Sequence, residues 1–184
     1  TLSSSSAASD VYKRQGDWQI ANCDVGQGDS MVFNLQHGRG IVIDVGPDPV
    51  AENKCLRNLG IKEIPLLILS HFHADHVGGL SGLLQSRRVG QVWISNNLEP
   101  LLESTHALKL LRESEVVTVQ KGLVSQIAGI QFEILWPENS SKNFESMPGD
   151  GSQINNSSIA MLVTTADWSI FTAGDLEPPV QHEI

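Results

Sequence analysis

The sequence His71-Phe72-His73-Ala74-Asp75-His76 places four side chains that commonly bind metal ions within six residues. It follows an apolar run at residues 65–69, which is typical of a strand buried on both faces. While the chain stays extended, the imidazoles of His71 and His73 point to the same side because they are two residues apart. Gly78-Gly79 predicts a turn that directs Asp75 and His76 toward a neighbouring position. Imidazole and carboxylate ligands suit Zn²⁺, Mn²⁺ or Fe²⁺ better than Ca²⁺.

Strands and helices alternate around this segment. Patterns typical of strands occur at residues 18–25, 30–35, 40–45, 91–95, 116–119, 130–136, 158–164 and 168–172. Helical spacing of apolar residues occurs at 50–59, 77–88 and 103–113. Residues 137–156 are polar and rich in Gly, Ser and Asn, so they predict a long loop. The order of elements predicts a layered α/β domain with mixed sheets.

The length and composition fit one globular domain. The chain has 184 residues, of which 40% are hydrophobic and 18% charged. Residues 1–15 are rich in Ser and Ala and lack apolar periodicity, so we expect a disordered or non-native leader followed by a domain over 16–184. No apolar run approaches the roughly 18 residues of a membrane-spanning helix, which argues against membrane insertion by this segment.

The charge balance disfavours generic binding to nucleic acid. Lys and Arg number 12 against 21 Asp and Glu, which gives a formal net charge of -9. Nucleic-acid binding surfaces usually carry clustered cations, yet the only adjacent basic pairs are Lys13-Arg14 and Arg87-Arg88. A local positive site can still come from bound metal.

The two cysteines, Cys23 and Cys55, can form at most one disulfide. Each lies in an apolar context, which favours a small buried side chain over a bridge. Cysteine usage therefore leaves the cellular compartment open.

Four further motifs accompany the histidine segment. They are Cys-Asp-Val-Gly-Gln-Gly-Asp-Ser at 23–30, Ile-Val-Ile-Asp-Val-Gly at 41–46, Asn-Asn-Ser-Ser-Ile at 155–159 and Phe-Thr-Ala-Gly-Asp at 171–175. In this order the motifs resemble those of the metallo-β-lactamase-fold hydrolases. The first and third resemble more narrowly the hydrolase domain of ComEC competence proteins, which are membrane channels for DNA uptake. The resemblance extends from about residue 18 to the last residue, and it implies an αββα sandwich of mixed sheets flanked by helices.

The resemblance also implies a dimetal site. Two divalent ions, Zn²⁺ or Mn²⁺, would be held by His71, His73, Asp75, His76 and Asp175. In this arrangement His71 and His73 hold the first ion, Asp75 and His76 hold the second, and Asp175 bridges both. Either Asp75 or Asp175 would receive a proton from the attacking water.

Other positions are implied to support these ligands. Asp44 would accept hydrogen bonds that orient the histidine loop, and Asp29 would approach the site from its glycine-rich turn. The superfamily usually supplies a third histidine to the first ion, but His106, the only one in that stretch, lies in an ordinary amphipathic helical pattern. Asn155-Asn156-Ser157 stand there instead, so we expect an amide, a hydroxyl or water to complete the coordination, with Asn156 close to the ligands.

The chain also departs from the family pattern near its end. A His-His-Gly-Ser segment is expected after Asp175, but only His182 follows. We therefore expect a fold and a site that are incomplete at the C-terminus.

The function implied is a metal-dependent nuclease that degrades the DNA strand not imported during competence. Its partners would be DNA and the membrane channel of a larger protein, at the extracytoplasmic face of the inner membrane. One alternative is a stand-alone, cytoplasmic hydrolase of small esters, thioesters or lactones, since fold alone does not separate these substrates. A second alternative is a degenerate, metal-free module for structure or protein contacts.

Overall fold

The computed structural model describes residues 18–138 and 151–184, which contain ten strands and six helices. The expected leader at residues 1–15 lies outside these ranges, as does most of the expected loop at 137–156. No helix within the described ranges is both long enough and apolar enough to cross a membrane.

The first sheet has six strands in the order β1-β2-β3-β4-β5-β6. β1 pairs antiparallel with β2 and β2 with β3, whereas the pairs from β3 to β6 are parallel. The mixed sheet predicted from the sequence is confirmed. The strands are β1 (Ile20–Asn22), β2 (Met31–Asn34), β3 (Gly40–Ile43), β4 (Glu63–Leu69), β5 (Arg88–Ile94) and β6 (Glu115–Thr118).

Helices connect the strands of the first sheet. They are α1 (Pro49–Asn58), α2 (Ala74–Val77), α3 (Leu80–Leu84) and α4 (Leu101–Leu110). Asp48 caps α1 by accepting a hydrogen bond from the Val50 N–H at 2.8 Å. The single helix predicted over 77–88 is wrong, because α2 and α3 are separate and β5 already begins at Arg88. The Gly79 N–H bonds the Gly46 carbonyl at 2.7 Å, outside the helix, and this contact interrupts the helical hydrogen bonding.

The second sheet has four antiparallel strands in the order β10-β9-β8-β7. They are β7 (Val124–Ile127), β8 (Ile130–Trp136), β9 (Ala160–Thr164) and β10 (Ser169–Thr172), with the short helices α5 (Ser152–Asn155) and α6 (Pro178–Gln181). β7 was not predicted because its two apolar residues, Val124 and Ile127, are three positions apart and do not show the alternation typical of a strand. α5 lies inside the stretch that the sequence predicted to be loop.

Two hydrophobic cores fill the spaces between the layers. Val42, Leu67 and Val92 of the first sheet pack against α1, α3 and α4. The opposite face of the sheet, with Phe33 and Ile68, packs against the inner face of the second sheet. A small third cluster joins α6 to the ends of β8 and β9. This alternation of buried faces confirms the expected α/β architecture of two sheets flanked by helices.

The two cysteines form a disulfide, which corrects the expectation of isolated buried thiols. Cys23 and Cys55 are bridged with a Cα–Cα distance of 5.7 Å across 32 positions of sequence. The bridge fastens the segment after β1 to α1. It therefore helps to hold the glycine-rich motif at 23–30 near the end of β3, where the Gly46 N–H bonds the Asp29 carbonyl.

Candidate metal centre

The motifs converge at the edge of the first sheet where its parallel strands end. Asp44 directly follows β3 and His71 follows β4 by two residues. Asp175 arrives from the second sheet, three residues after β10. The carboxyl ends of parallel strands share one edge of a sheet, so side chains distant in sequence meet there.

Backbone hydrogen bonds hold these loops together. The Gly46 N–H donates to the Asp29 carbonyl at 2.8 Å, and the Val45 N–H donates to the His76 carbonyl at 2.9 Å. The Ile159 N–H donates to the Ser70 carbonyl at 2.9 Å, which attaches the segment before β9 to the histidine loop. The loops are thus positioned by the main chain as well as by their side chains.

Asp44 organises the buried side of the site. Its carboxylate accepts hydrogen bonds from the Ser70 N–H at 2.7 Å, the Ser70 hydroxyl at 2.7 Å and His76 Nδ1 at 2.9 Å. Asp44 is only 1% exposed, and its φ of 56° lies in the left-handed region that aspartate tolerates better than most residues. Its hydrogen bonding to Nδ1 leaves His76 Nε2 directed toward the other candidate ligands.

The proposed ligands lie close together. His71 Nε2 is 3.1 Å from His73 Nδ1, and His76 Nε2 is 3.4 Å from Asp175 Oδ1. Asp75 Oδ2 is 4.0 Å from His76 Nε2. Donor atoms of His71, His76 and Asp175 all lie within 4.8 Å of one another. The structure therefore brings Asp175 to the histidine loop, as the bridging arrangement requires.

The two buried histidines have opposite electrostatic surroundings. Burial lowers the pKa of His71 to about 2, with the charges on His76 and His73 acting in the same direction. Burial also lowers the pKa of His76, but the hydrogen bond and charge of Asp44, with the charges of Asp175 and Asp75, outweigh it and raise that pKa to about 9. His71 is therefore neutral, whereas the carboxylates around His76 favour a cation at that position, whether a proton or a metal ion.

Asp29 lies next to this group. One of its oxygens lies within 4.8 Å of donor atoms of Asp44 and His76. The turn before Asp29 packs closely against the histidine loop. A Cβ on Gly28, whose φ is 130°, would lie 2.0 Å from the Asp75 carbonyl oxygen, so this position requires glycine. Burial raises the pKa of Asp29, and the charge of His76 opposes that shift.

The segment that stands where the family supplies its third histidine contributes a different residue from the one expected. The Asn156 side chain contacts Glu177, whose N–H donates to Asn156 Oδ1 at 3.0 Å. The Ser158 hydroxyl instead lies 3.2 Å from His71 Nδ1 and accepts a hydrogen bond from the Asp175 N–H at 3.2 Å. Ser158 therefore connects two of the proposed ligands.

Sequence reasoning missed Ser158 and Ser70. Ser70 Oγ lies 3.1 Å from His71 Nδ1, so His71 is flanked by two hydroxyls that can accept a hydrogen bond from its Nδ1–H. The sequence carries no local signal for these serines, since they are brought together by Gly174, where a Cβ would lie 2.9 Å from the Cβ atoms of both. The turn before Asp175 packs closely against the serines because position 174 has no side chain.

The remaining histidines of interest lie elsewhere. His106 is exposed on α4, and His182 is exposed at the end of α6. Neither belongs to a potential metal-binding group within the described ranges.

The donor set fits divalent metal ions. The described residues contain a histidine and aspartate cluster with compatible spacing, and the nitrogen and carboxylate ligands match those of transition metals. Ser70, Ser158 and Asp44 bond the ring nitrogens that face away from the cluster, which is the usual support of metal-bound histidines.

Comparisons with known proteins agree with this geometry. Residues 23–146 match the family model described as the metallo-beta-lactamase superfamily. ComE operon protein 3 of Bacillus subtilis is 31% identical over 90% of this chain and 23% of its own length. Ribonuclease Z of Clostridioides difficile is 42% identical over 31% of this chain and 18% of its own length. The chain thus spans less than a quarter of the length of ComE operon protein 3, and less than a third of the chain aligns with this ribonuclease Z.

A solved structure supports the same fold. A metallo-β-lactamase of Cronobacter sakazakii with a HARLDQ motif superposes with a TM-score of 0.53 at 15% identity, over 91% of this chain and 66% of that one. The likeness to ComE operon protein 3 supports the ComEC-type domain predicted from the sequence. The chain belongs to the metallo-β-lactamase superfamily.

Proposed function

We propose that the chain is a dimetal phosphodiesterase that cleaves nucleic acid. One observation carries the proposal: Asp175, from the end of a remote strand, meets His71 and His76 with donor atoms within 4.8 Å. The likeness to proteins named ribonuclease Z and ComE operon protein 3 supports nuclease chemistry over other hydrolase activities.

We assign the ligands from the motif and the distances. His71 and His73, whose facing nitrogens are 3.1 Å apart, would hold one divalent ion. Asp75 and His76 would hold the other, and Asp175 would bridge the two. Zn²⁺ and Mn²⁺ both suit these donors.

Two divalent ions bound here would supply Lewis-acid activation of water and of the phosphoryl group, and stabilisation of the leaving oxygen. Asp44 and Ser70 orient the histidines so that their free nitrogens face the reaction. Asp75 and Asp175 are 35% and 38% exposed, so either carboxylate can receive the proton of the attacking water and return it to solvent.

The test is cleavage of linear single-stranded and double-stranded DNA with added Mn²⁺ or Zn²⁺, compared with Asp175→Asn. We expect metal-dependent cleavage, and a loss of activity of more than about 100-fold in the variant. Loss of a residue that merely hydrogen-bonds to a metal ligand typically costs about 10–100-fold, and loss of the ligand itself should cost more. Asp167→Asn is a matched control on an exposed turn and should cleave normally. Elemental analysis of both variants would show whether metal loss accompanies activity loss.

Two outcomes would replace the proposal. Turnover of small esters, thioesters or lactones without DNA cleavage would favour the stand-alone hydrolase. Absence of bound metal with Mn²⁺ or Zn²⁺ supplied would favour the degenerate structural module.

We also propose that the domain works in DNA uptake, at the extracytoplasmic face of the inner membrane, as part of a larger channel protein. The likeness to ComE operon protein 3 supports this setting. The disulfide between Cys23 and Cys55 supports an oxidising compartment, since such bonds are rare in the cytosol. Isolation of the protein from cells with its thiols trapped would test this, and a fully reduced pair would favour the cytoplasmic alternative.

A further inference from the structure

A cationic groove lies at the edge of the first sheet opposite the metal centre. It has a volume of about 850 Å³ and is bounded by the end of α3, the start of β5 and the second half of α4. Because β4 and β5 are parallel and Arg88 pairs with Glu63 while Ile94 pairs with Leu69, the groove lies about 20 Å from the histidine loop along the strands.

Basic residues that are distant in sequence line this groove. They are Arg87, Arg88, Lys109 and Arg112, joined by His106 and opposed by the single acidic residue Glu113. Four of the chain's 12 Lys and Arg residues therefore meet on one surface of a protein whose net charge is -9. The sequence showed only an adjacent pair and an ordinary helix, because neither segment reveals that the other lies beside it.

The groove combines a fixed wall with exposed charges. The Arg87 guanidinium is buried and bonds the Ile61 carbonyl and Asn53 Oδ1, each at 2.9 Å, so it supports the wall. Arg88, Lys109 and Arg112 are exposed, and Arg112 pairs with Glu113 at 3.8 Å. Exposed cations over apolar side chains such as Leu84 and Leu110 can contact a polyanion.

Stabilisation of α4 does not explain the whole set. Lys109 lies in the last turn of α4 and Arg112 just beyond it, where cations complement the helix dipole. Arg88 is the first residue of β5 and is not part of α4, so a role in stabilising that helix does not account for its position in the groove. The convergence of Arg88 with the helix cations indicates a surface for an anionic partner.

We propose that this groove binds the phosphate backbone of single-stranded nucleic acid and holds a strand whose other part reaches the metal centre. The inference rests on the proposed nuclease function, which supplies a polyanionic substrate. A strand of the length usually covered by a single-strand binding domain, about 4–16 nucleotides, is the appropriate partner. An acidic protein segment would use similar charges, and the experiment distinguishes it.

The test measures binding of a fluorescent 12-nucleotide oligothymidine to the chain in EDTA, by anisotropy at several salt concentrations. Arg88→Glu combined with Lys109→Glu should weaken binding by roughly tenfold at low salt. It should also reduce the slope of log Kd against log salt by about 1.4, since each single-strand phosphate contact contributes about 0.7. Lys54→Glu combined with Lys62→Glu changes the net charge equally at exposed positions outside the groove, and should retain the slope.

Other results would overturn the groove proposal. Equal losses in the two double variants would show a general charge effect, and an unchanged slope in the first variant would show that the groove does not contact the strand. Binding of poly-glutamate in preference to the oligonucleotide would assign the groove to an acidic protein segment. Circular dichroism would establish that each variant is folded.

A second assay distinguishes failure of the groove proposal from failure of the proposed nuclease function. Hydrolysis of bis(4-nitrophenyl) phosphate, which is too small to span from the metal centre to the groove, should be unchanged in Arg88→Glu combined with Lys109→Glu. Groove-dependent oligonucleotide binding without any metal-dependent hydrolysis would retain the groove and reject the nuclease. Hydrolysis without groove-dependent binding would do the reverse.

Discussion

The first sheet has a carboxyl edge, where its parallel strands end, and an opposite edge, where they begin, and the side chains at these two edges differ in burial and charge. At the carboxyl edge, His71, His76 and Asp44 are buried and bonded to one another or to serines. At the other edge, Arg88 and Lys109 are exposed around an open groove. The overall charge of -9 describes neither edge. It averages an anionic cluster suited to cations with a cationic groove suited to anions.

The comparison predicts where substitutions have large effects. A buried polar group cannot turn to water for a partner, so loss of its bonds costs several kcal/mol. An exposed charge is screened and hydrated, and its pairs contribute about 0–1 kcal/mol. Stability should therefore depend on the carboxyl edge far more than on the groove.

The largest effect is expected for Asp44→Ala. The change removes the acceptor of three hydrogen bonds and the counter-charge of His76, both in a buried setting. We expect the free energy of unfolding of the metal-free chain to fall by about 3–5 kcal/mol, as for other broken buried pairs. Urea denaturation followed by circular dichroism measures this change.

Asp48→Ala is the matched control for that substitution. Asp48 makes one capping hydrogen bond at the start of α1, so its loss should cost about 1 kcal/mol. Equal destabilisation by the two variants would contradict the prediction that the buried hydrogen bonds of the carboxyl edge contribute more to stability than exposed ones.

Glu52→Gln should stabilise the protein in a pH-dependent way. Glu52 is fully buried on α1, and neither carboxyl oxygen has a hydrogen-bond partner in the described part of the chain. Burial raises its pKa from 4.5 to about 7, with the nearby Ser30 hydroxyl and the Arg87 charge opposing the shift. The native state therefore favours the protonated acid, and stability is lost as the pH rises from 4.5 to 7.

The amide variant removes this penalty because it does not ionise. We expect a gain of about 3 kcal/mol at pH 8 and less than about 1 kcal/mol at pH 5, because a tenfold change in proton affinity corresponds to about 1.36 kcal/mol. Urea denaturation at both pH values measures the difference. Glu63→Gln, at an exposed position, is the control, and an equal gain in that variant would reject burial as the cause.

A smaller effect is expected for Ser158→Ala. The variant loses the hydroxyl that contacts His71 and accepts from the Asp175 N–H, so two proposed ligands are held less firmly. Loss of about 1 kcal/mol of hydrogen bonding predicts Zn²⁺ binding weakened by about fivefold, measured by titration calorimetry. Ser157→Ala is the control: the Ser157 hydroxyl bonds the Ile154 carbonyl and no proposed ligand among the described residues, so this variant should retain its affinity.

The sequence predicted what neighbouring residues encode. The histidine segment, the preceding buried strand and the alternation of helices and strands are local patterns, and the structure confirms the strand and the layered fold. Asp175 could be connected to His71 only through the resemblance to a known family. No periodicity relates two residues that are more than one hundred positions apart.

The features that the sequence did not predict depend on tertiary contacts. Cys23 and Cys55 lie in apolar contexts that give no sign of pairing, and folding alone brings them to 5.7 Å between Cα atoms. Ser158 resembles any serine in a polar stretch until Gly174 packs against it. The cationic groove likewise requires the packing of β5 beside α4.

The smallest effect on stability is expected for Arg112→Ala, in the groove. Among the described residues its guanidinium forms an ion pair with the adjacent and exposed Glu113 alone, at 3.8 Å, so the unfolding free energy should change by less than about 0.5 kcal/mol. The same variant should reduce the salt slope of oligonucleotide binding by about 0.7, because it removes one phosphate contact. Urea denaturation and anisotropy on one preparation measure both quantities. Arg57→Ala, exposed on α1 and not part of the groove lining, is the control that should leave the slope unchanged. A large stability loss with an unchanged slope would show that the groove edge, like the carboxyl edge, serves folding rather than ligand binding.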